Sequence, residues 1–84
     1  MQNQIEAFSG NPNRIIVSSL GVSLFNAHWP TSNLRDRAYW FEFDSCGNLI
    51  DTDVPEHDDG NAAVALVNDC GEFFLNGTIP EWVQ

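Results

Sequence analysis

Apolar and polar residues alternate most cleanly over residues 37–44, RAYWFEFD, which sets Tyr39, Phe41 and Phe43 on one face and Trp40, Glu42 and Asp44 on the other. A period of two is the mark of a half-buried β-strand, whose successive side chains point to opposite faces. In the following DSCG, Asp44 stands first and Gly47 fourth. That order fits a type I turn closed by a left-handed residue, with NLIDTD (residues 48–53) returning as the partner strand. Upstream, RIIVSS (residues 14–19) is β-branched and apolar, and VSLFNAHW resumes at Val22 after Leu20-Gly21. The pattern there predicts two strands with a short connection, broken at Trp29-Pro30. Residues 1–12 are polar and end in Gly10-Asn11-Pro12, a loose arm in which residues 5–8 offer an edge strand.

The periodicity changes after Val54-Pro55. In EHDDGNAAVALVNDCG the alanines at 62, 63 and 65 favour helix over strand, and Ala63, Leu66, Val67 and Cys70 fall on one helical face. The spacing predicts a helix over about residues 59–70, capped by Asp58 or Asp59. Gly71 is then the left-handed residue beyond its end, EFFL (residues 72–75) a further strand, and Asn76-Gly77 a tight turn before the tail TIPEWVQ. The expected fold is α+β, a small antiparallel sheet of four to five strands with one helix, in a single domain over residues 1–84. In the alternative, AVALV and EFFL pair as a hairpin through NDCG, giving an all-β meander or barrel. Either way the repeated Cys-Gly, DSCG and NDCG, is explained by glycines at left-handed positions and carries no chemistry of its own.

Composition adds one strong feature. The 84 residues carry twelve Asp and Glu against three Arg and no Lys, a formal net charge of −9. Affinity for a phosphate backbone comes from Lys and Arg neutralising phosphates, so direct nucleic-acid binding is not expected. Residues 1–10, MQNQIEAFSG, show neither a basic segment nor an apolar stretch of the signal-peptide kind, and no apolar run is long enough to cross a bilayer. The expected location is cytoplasmic, with Cys46 and Cys70 reduced.

No catalytic site is expected. Ser18, Ser19 and Ser23 lie in no G-x-S-x-G motif, and no glycine-rich loop carries a lysine. Two lone cysteines 24 residues apart lack the paired spacing of a zinc site, although His28 and His57 would complete four ligands on paper. His28 is expected at a strand end, and His57 stands among carboxylates that favour its charged form. The run DTDVPEHDD (residues 51–59) fails as a calcium loop, since counting from Asp51 puts Pro55 fifth and Glu56 sixth, where an acid or amide and a glycine belong. No metal or other cofactor is therefore expected.

The acids themselves remain. Between Glu42 and Asp59 stand Glu42, Asp44, Asp51, Asp53, Glu56, Asp58 and Asp59, with no Arg or Lys among them. If Phe43 pairs with Ile50 and Phe41 with Thr52, Glu42 stands opposite Asp51, an arrangement that destabilises a sheet; a shift of one residue would put Asp51 opposite Phe41 instead. Acids two apart along a strand lie about 6.6 Å apart, close to the spacing of successive phosphates. Such a face, with Trp40 beside it and Trp40 or Trp82 supplying aromatic contact, suits a basic groove built for nucleic acid. In size, acidity and lack of a catalytic motif the chain resembles the small phage-borne inhibitors of the anti-CRISPR and anti-restriction type, several of which imitate DNA. The resemblance implies a non-enzymatic inhibitor of a basic nucleic-acid-binding defence protein, working in the host cytoplasm. The alternatives are an immunity protein or antitoxin against a basic toxin nuclease, and a housekeeping interaction module whose acids only solvate it.

Overall fold

The computed structural model describes residues 4–54 and 61–84. In chain order these form β1 (Ile5–Ala7), β2 (Arg14–Val17), α1 (Ser19–His28), β3 (Tyr39–Phe43), β4 (Leu49–Thr52) and α2 (Asn61–Asn76). The four strands make one open antiparallel sheet in the order β1-β2-β3-β4. The α+β class and the four strands match the sequence expectation, β1 falls in the N-terminal arm, and there are two helices in place of one.

β3 carries the core. Tyr39, Phe41 and Phe43 are buried on one face while Trp40 and Glu42 lie half-buried on the other, as the period of two requires. Ile5, Ile15 and Val17 extend the apolar face across β1 and β2, and Phe25, Leu66, Cys70 and Trp82 close over it from the helices and the C-terminal tail. Burying one such aromatic or aliphatic side chain stabilises the fold by about 1.5–3 kcal/mol.

The expected strand from Val22 is instead α1. Ser18 has extended backbone, and its hydroxyl accepts the Gly21 N–H at 3.1 Å, the work of a helix N-cap. Val22, Phe25 and Trp29 then recur at the i, i+3, i+7 spacing of one helical face, which turns toward β2 and the core. Gly21 is required by contact: a β-carbon there would collide with the carbonyl oxygen of Gln4 and lie 2.9 Å from Val17 Cγ1. Trp29 ends the helix, its N–H donating to Phe25 O at 2.8 Å, and Pro30 cannot continue it. His28 therefore stands in the last turn of a helix, not at a strand end.

The second correction concerns residues 71–75. α2 does not stop at Cys70 but runs through Gly71 and EFFL to Asn76, so EFFL is not a strand and Gly71 is not left-handed. Phe73 and Phe74 continue the face of Leu66 and Cys70, and Phe74 stacks on Phe43 with ring centroids 5.6 Å apart. That burial exceeds the cost of about 1 kcal/mol for a glycine inside a helix. The left-handed helix end falls at Gly77, with φ of 70° and its N–H on Phe73 O at 2.9 Å. The expected caps Asp58 and Asp59 lie outside the described residues.

Candidate functional site

The β3–β4 hairpin places the predicted acids, and the turn between the strands is built on one of them. Asp44 Oδ1 accepts the backbone N–H groups of Cys46 at 2.8 Å and Asn48 at 2.9 Å, while Gly47 N–H returns to Asp44 O at 3.0 Å. Gly47 has φ of 83°, the left-handed position expected for it. The donors on Asn48 and Cys46 hold the Asp44 carboxyl below the ordinary aspartate range. Asp44 is thus a turn residue whose carboxylate is held ionised, and fixed in place, by local backbone N–H groups.

Along the hairpin Phe41 pairs with Thr52 and Glu42 with Asp51 as expected, but Phe43 pairs with Leu49 and not with Ile50, because a bulge leaves Ile50 as the extra residue. Glu42 does stand opposite Asp51. On its other side, however, the antiparallel β2–β3 register brings Arg14 opposite Glu42, and Arg14 Nε donates to Glu42 Oε1 at 3.1 Å. The same guanidinium lies 4.0 Å over the Trp40 ring. The expectation that no cation offsets these acids is therefore corrected: Arg14 relieves the Glu42–Asp51 repulsion from the neighbouring strand.

Asp53 is occupied as well. Its Oδ1 accepts the Trp40 N–H at 2.9 Å, and its Oδ2 accepts Arg37 Nη1 at 3.0 Å while Arg37 Nη2 reaches Asp53 O at 3.1 Å. The Asp53 carboxylate raises the Arg37 pKa further above its ordinary value. Of the predicted carboxylates among the described residues, Asp51 is the one left exposed and without an arginine, its Oδ1 accepting only the Thr52 N–H at 2.8 Å. Glu56, Asp58 and Asp59, with His57, lie outside the described residues. Further acids, Glu6 on β1 and Glu72 on α2, are exposed elsewhere on the surface.

Trp82 cannot supply a contact surface. It is buried against Phe25, edge to face at 5.7 Å, and its indole N–H donates to Asp69 Oδ2 at 2.9 Å. Trp40, half-buried beneath Arg14, is the accessible tryptophan of the hairpin. Cys46 is exposed on the turn and Cys70 is buried on α2, where desolvation pushes its thiol well above the ordinary range. Among the described residues no three His, Cys, Asp or Glu side chains converge on a point, and no helix is long and apolar enough to cross a membrane.

Two features lie outside the sequence expectation. A cleft of about 360 Å³ lies between the β3–β4 turn and α2, lined by Leu49 from the strand side, by Val67, Glu72 and Leu75 from the helix, and by the two Cys-Gly glycines. Those glycines meet: a β-carbon on Gly71 would lie 3.4 Å from Gly47 O and from Phe43 Cε1. The repeated Cys-Gly is thus a packing contact between helix and turn, with different backbone shapes at its two copies. A second cleft of about 320 Å³ lies between the end of α1 and the tail, beside His28, Trp29, Asp69 and Ile79. Comparisons with protein-family models, with curated proteins and with solved structures each return no match.

Proposed function

We propose that the chain is a small, non-enzymatic inhibitor that acts by binding a basic, nucleic-acid-handling protein, in the manner of the anti-CRISPR and anti-restriction proteins it resembles. The observation that carries this reading is the charge balance. A net charge of −9 rests on only three arginines, and two of these, Arg14 and Arg37, are already ion-paired within the fold. A field of one sign over so small a body steers and orients an oppositely charged partner and disfavours every acidic one. The inhibitor competes with nucleic acid by charge over the whole surface. It is not a ruler of evenly spaced carboxylates, because Asp44 and Asp53 are held by backbone groups and Glu42 by Arg14.

The test is capture from a host lysate on the immobilised protein, with identification of the captured chain, in parallel with an Asp51→Lys/Glu6→Lys variant. Both positions are exposed, so folding is expected to survive. The expected result is a basic nucleic-acid-binding protein whose capture weakens with salt and weakens further in the variant. Capture that ignores both salt and the two reversals overturns the reading.

A further inference from the structure

We infer that the free edge of β4, together with the cleft between the hairpin turn and α2, receives an extended basic segment of the partner protein as a fifth strand, one apolar side chain of that segment lying in the cleft between Leu49 and Leu75. β4 ends the sheet, so its outer edge has no neighbouring strand among the described residues. A strand end of this kind is a template for main-chain pairing, with pockets beside it reading alternate side chains of the added segment. The cleft provides such a pocket. α2 packs chiefly over β3, and at the side of this contact Leu49 is 39% exposed and Leu75, across the cleft, 45% exposed. The Leu75 side chain lies over Gly47 and Gly71 meets the Gly47 carbonyl, so the cleft is bounded by Leu49 on the strand side and by Val67 and Leu75 on the helix side.

Charge decides the occupant. A second copy of the chain pairing edge to edge would set Asp51 near its own counterpart and bring two bodies of −9 together. Asp51 is exposed on the sheet face it shares with Glu42, away from α2, and Glu72 is exposed on the helix wall of the cleft, so alternate side chains of an added strand meet a carboxylate on one face and the cleft on the other. Asp51 uses Oδ1 on the Thr52 N–H, which leaves Oδ2 for an incoming cation. The fitting segment is therefore extended, with an apolar residue between lysines or arginines, and pairs over Leu49–Thr52. This inference rests on the proposed basic partner and specifies how one segment of it is held.

The probe is a nonapeptide of alternating Leu and Lys, titrated into the isotopically labelled full chain and followed by amide chemical shifts. Controls are the Leu/Glu and Ser/Lys peptides of the same length. Shifts are expected over residues 46–52 and at Val67, Asn68, Gly71, Glu72 and Leu75, with both controls at least tenfold weaker. Leu75→Lys should weaken the Leu/Lys peptide at least tenfold, and Glu72→Lys, at an exposed position, provides the same readout should Leu75→Lys fail to fold. Equal binding of Ser/Lys, shifts centred on Ile16 and Trp40, or no shift at all overturns the inference. If the peptide fails here while the lysate partner is still captured in a salt-dependent way, the strand-addition mode falls and the basic partner stands. If both fail, both readings fall.

Discussion

Replacing Gly71 by alanine should stabilise the protein, although the same change at the matching glycine of the repeat should destabilise it. Gly71 lies inside α2 with ordinary helical backbone, where alanine is favoured over glycine by about 0.8–1 kcal/mol. Against this stands the new methyl, 3.4 Å from Gly47 O and Phe43 Cε1, which is ordinary contact and also adds apolar burial. The expected net gain is about 0.5–1 kcal/mol, or roughly 2–8 °C in Tm for a domain of this size. At Gly47 the φ of 83° costs an alanine about 1–2 kcal/mol, and the methyl also displaces the Leu75 side chain lying over it. Because the position 71 methyl rests on the Gly47 carbonyl, the double variant should depart from additivity by about 0.5 kcal/mol or more. Urea denaturation followed by circular dichroism measures all three variants. A loss of more than about 1 kcal/mol for Gly71→Ala would refute the reasoning, because it would mean that the helix ends at Cys70 or that the turn lies closer than described.

Ser18→Ala should cost about 1 kcal/mol through the lost N-cap, and Gly21→Ala about 1–3 kcal/mol through collision with the Gln4 carbonyl; a neutral Gly21→Ala in the same denaturation assay would contradict the close approach. The Asp44 carboxyl, held below its ordinary 3.8 by the turn N–H groups, contributes stability that is present above that value and lost as pH falls through the lowered one. Acid titration of urea stability should therefore show a component that disappears in Asp44→Asn, and an unchanged profile in that variant would count against the assignment. Iodoacetamide at pH 8 should modify Cys46 in the native protein and Cys70 only after unfolding, read by mass spectrometry; rapid labelling of native Cys70 would contradict its burial.

The hairpin was legible because its information is local: the alternation of RAYWFEFD and the Asp and Gly of DSCG determine strand, turn and inward face without help from elsewhere. α1 was misread because Gly21 resembles a turn residue and Val22 a strand former. Its real signals were Ser18 as a cap and the spacing of Val22, Phe25 and Trp29, and the glycine is there for contact with Gln4. The end of α2 was misplaced for a tertiary reason, since Gly71 weakens a helix that Phe73 and Phe74 sustain by packing on the sheet. The candidate site suffered most. Inspecting residues 42–59 alone hides Arg14, which reaches Glu42 across 28 residues of sequence through strand pairing, and Arg37, which closes on Asp53. The acids were correctly counted and their partners were not visible, so a face read as uniformly free is in part internally neutralised. One consequence is practical: Glu42→Lys would face Arg14 and Asp44→Lys would break the turn, so both would confound folding with binding.

The central claim is that the chain competes with nucleic acid for a basic protein. Its most direct test uses the captured partner, purified and loaded with a fluorescently labelled oligonucleotide, with anisotropy followed as the chain is added. Displacement of the oligonucleotide to the free value at about one equivalent, at salt near 0.1 M and weaker at higher salt, is the predicted result. A stable ternary complex, in which the chain is bound and the oligonucleotide keeps its full anisotropy, would contradict it.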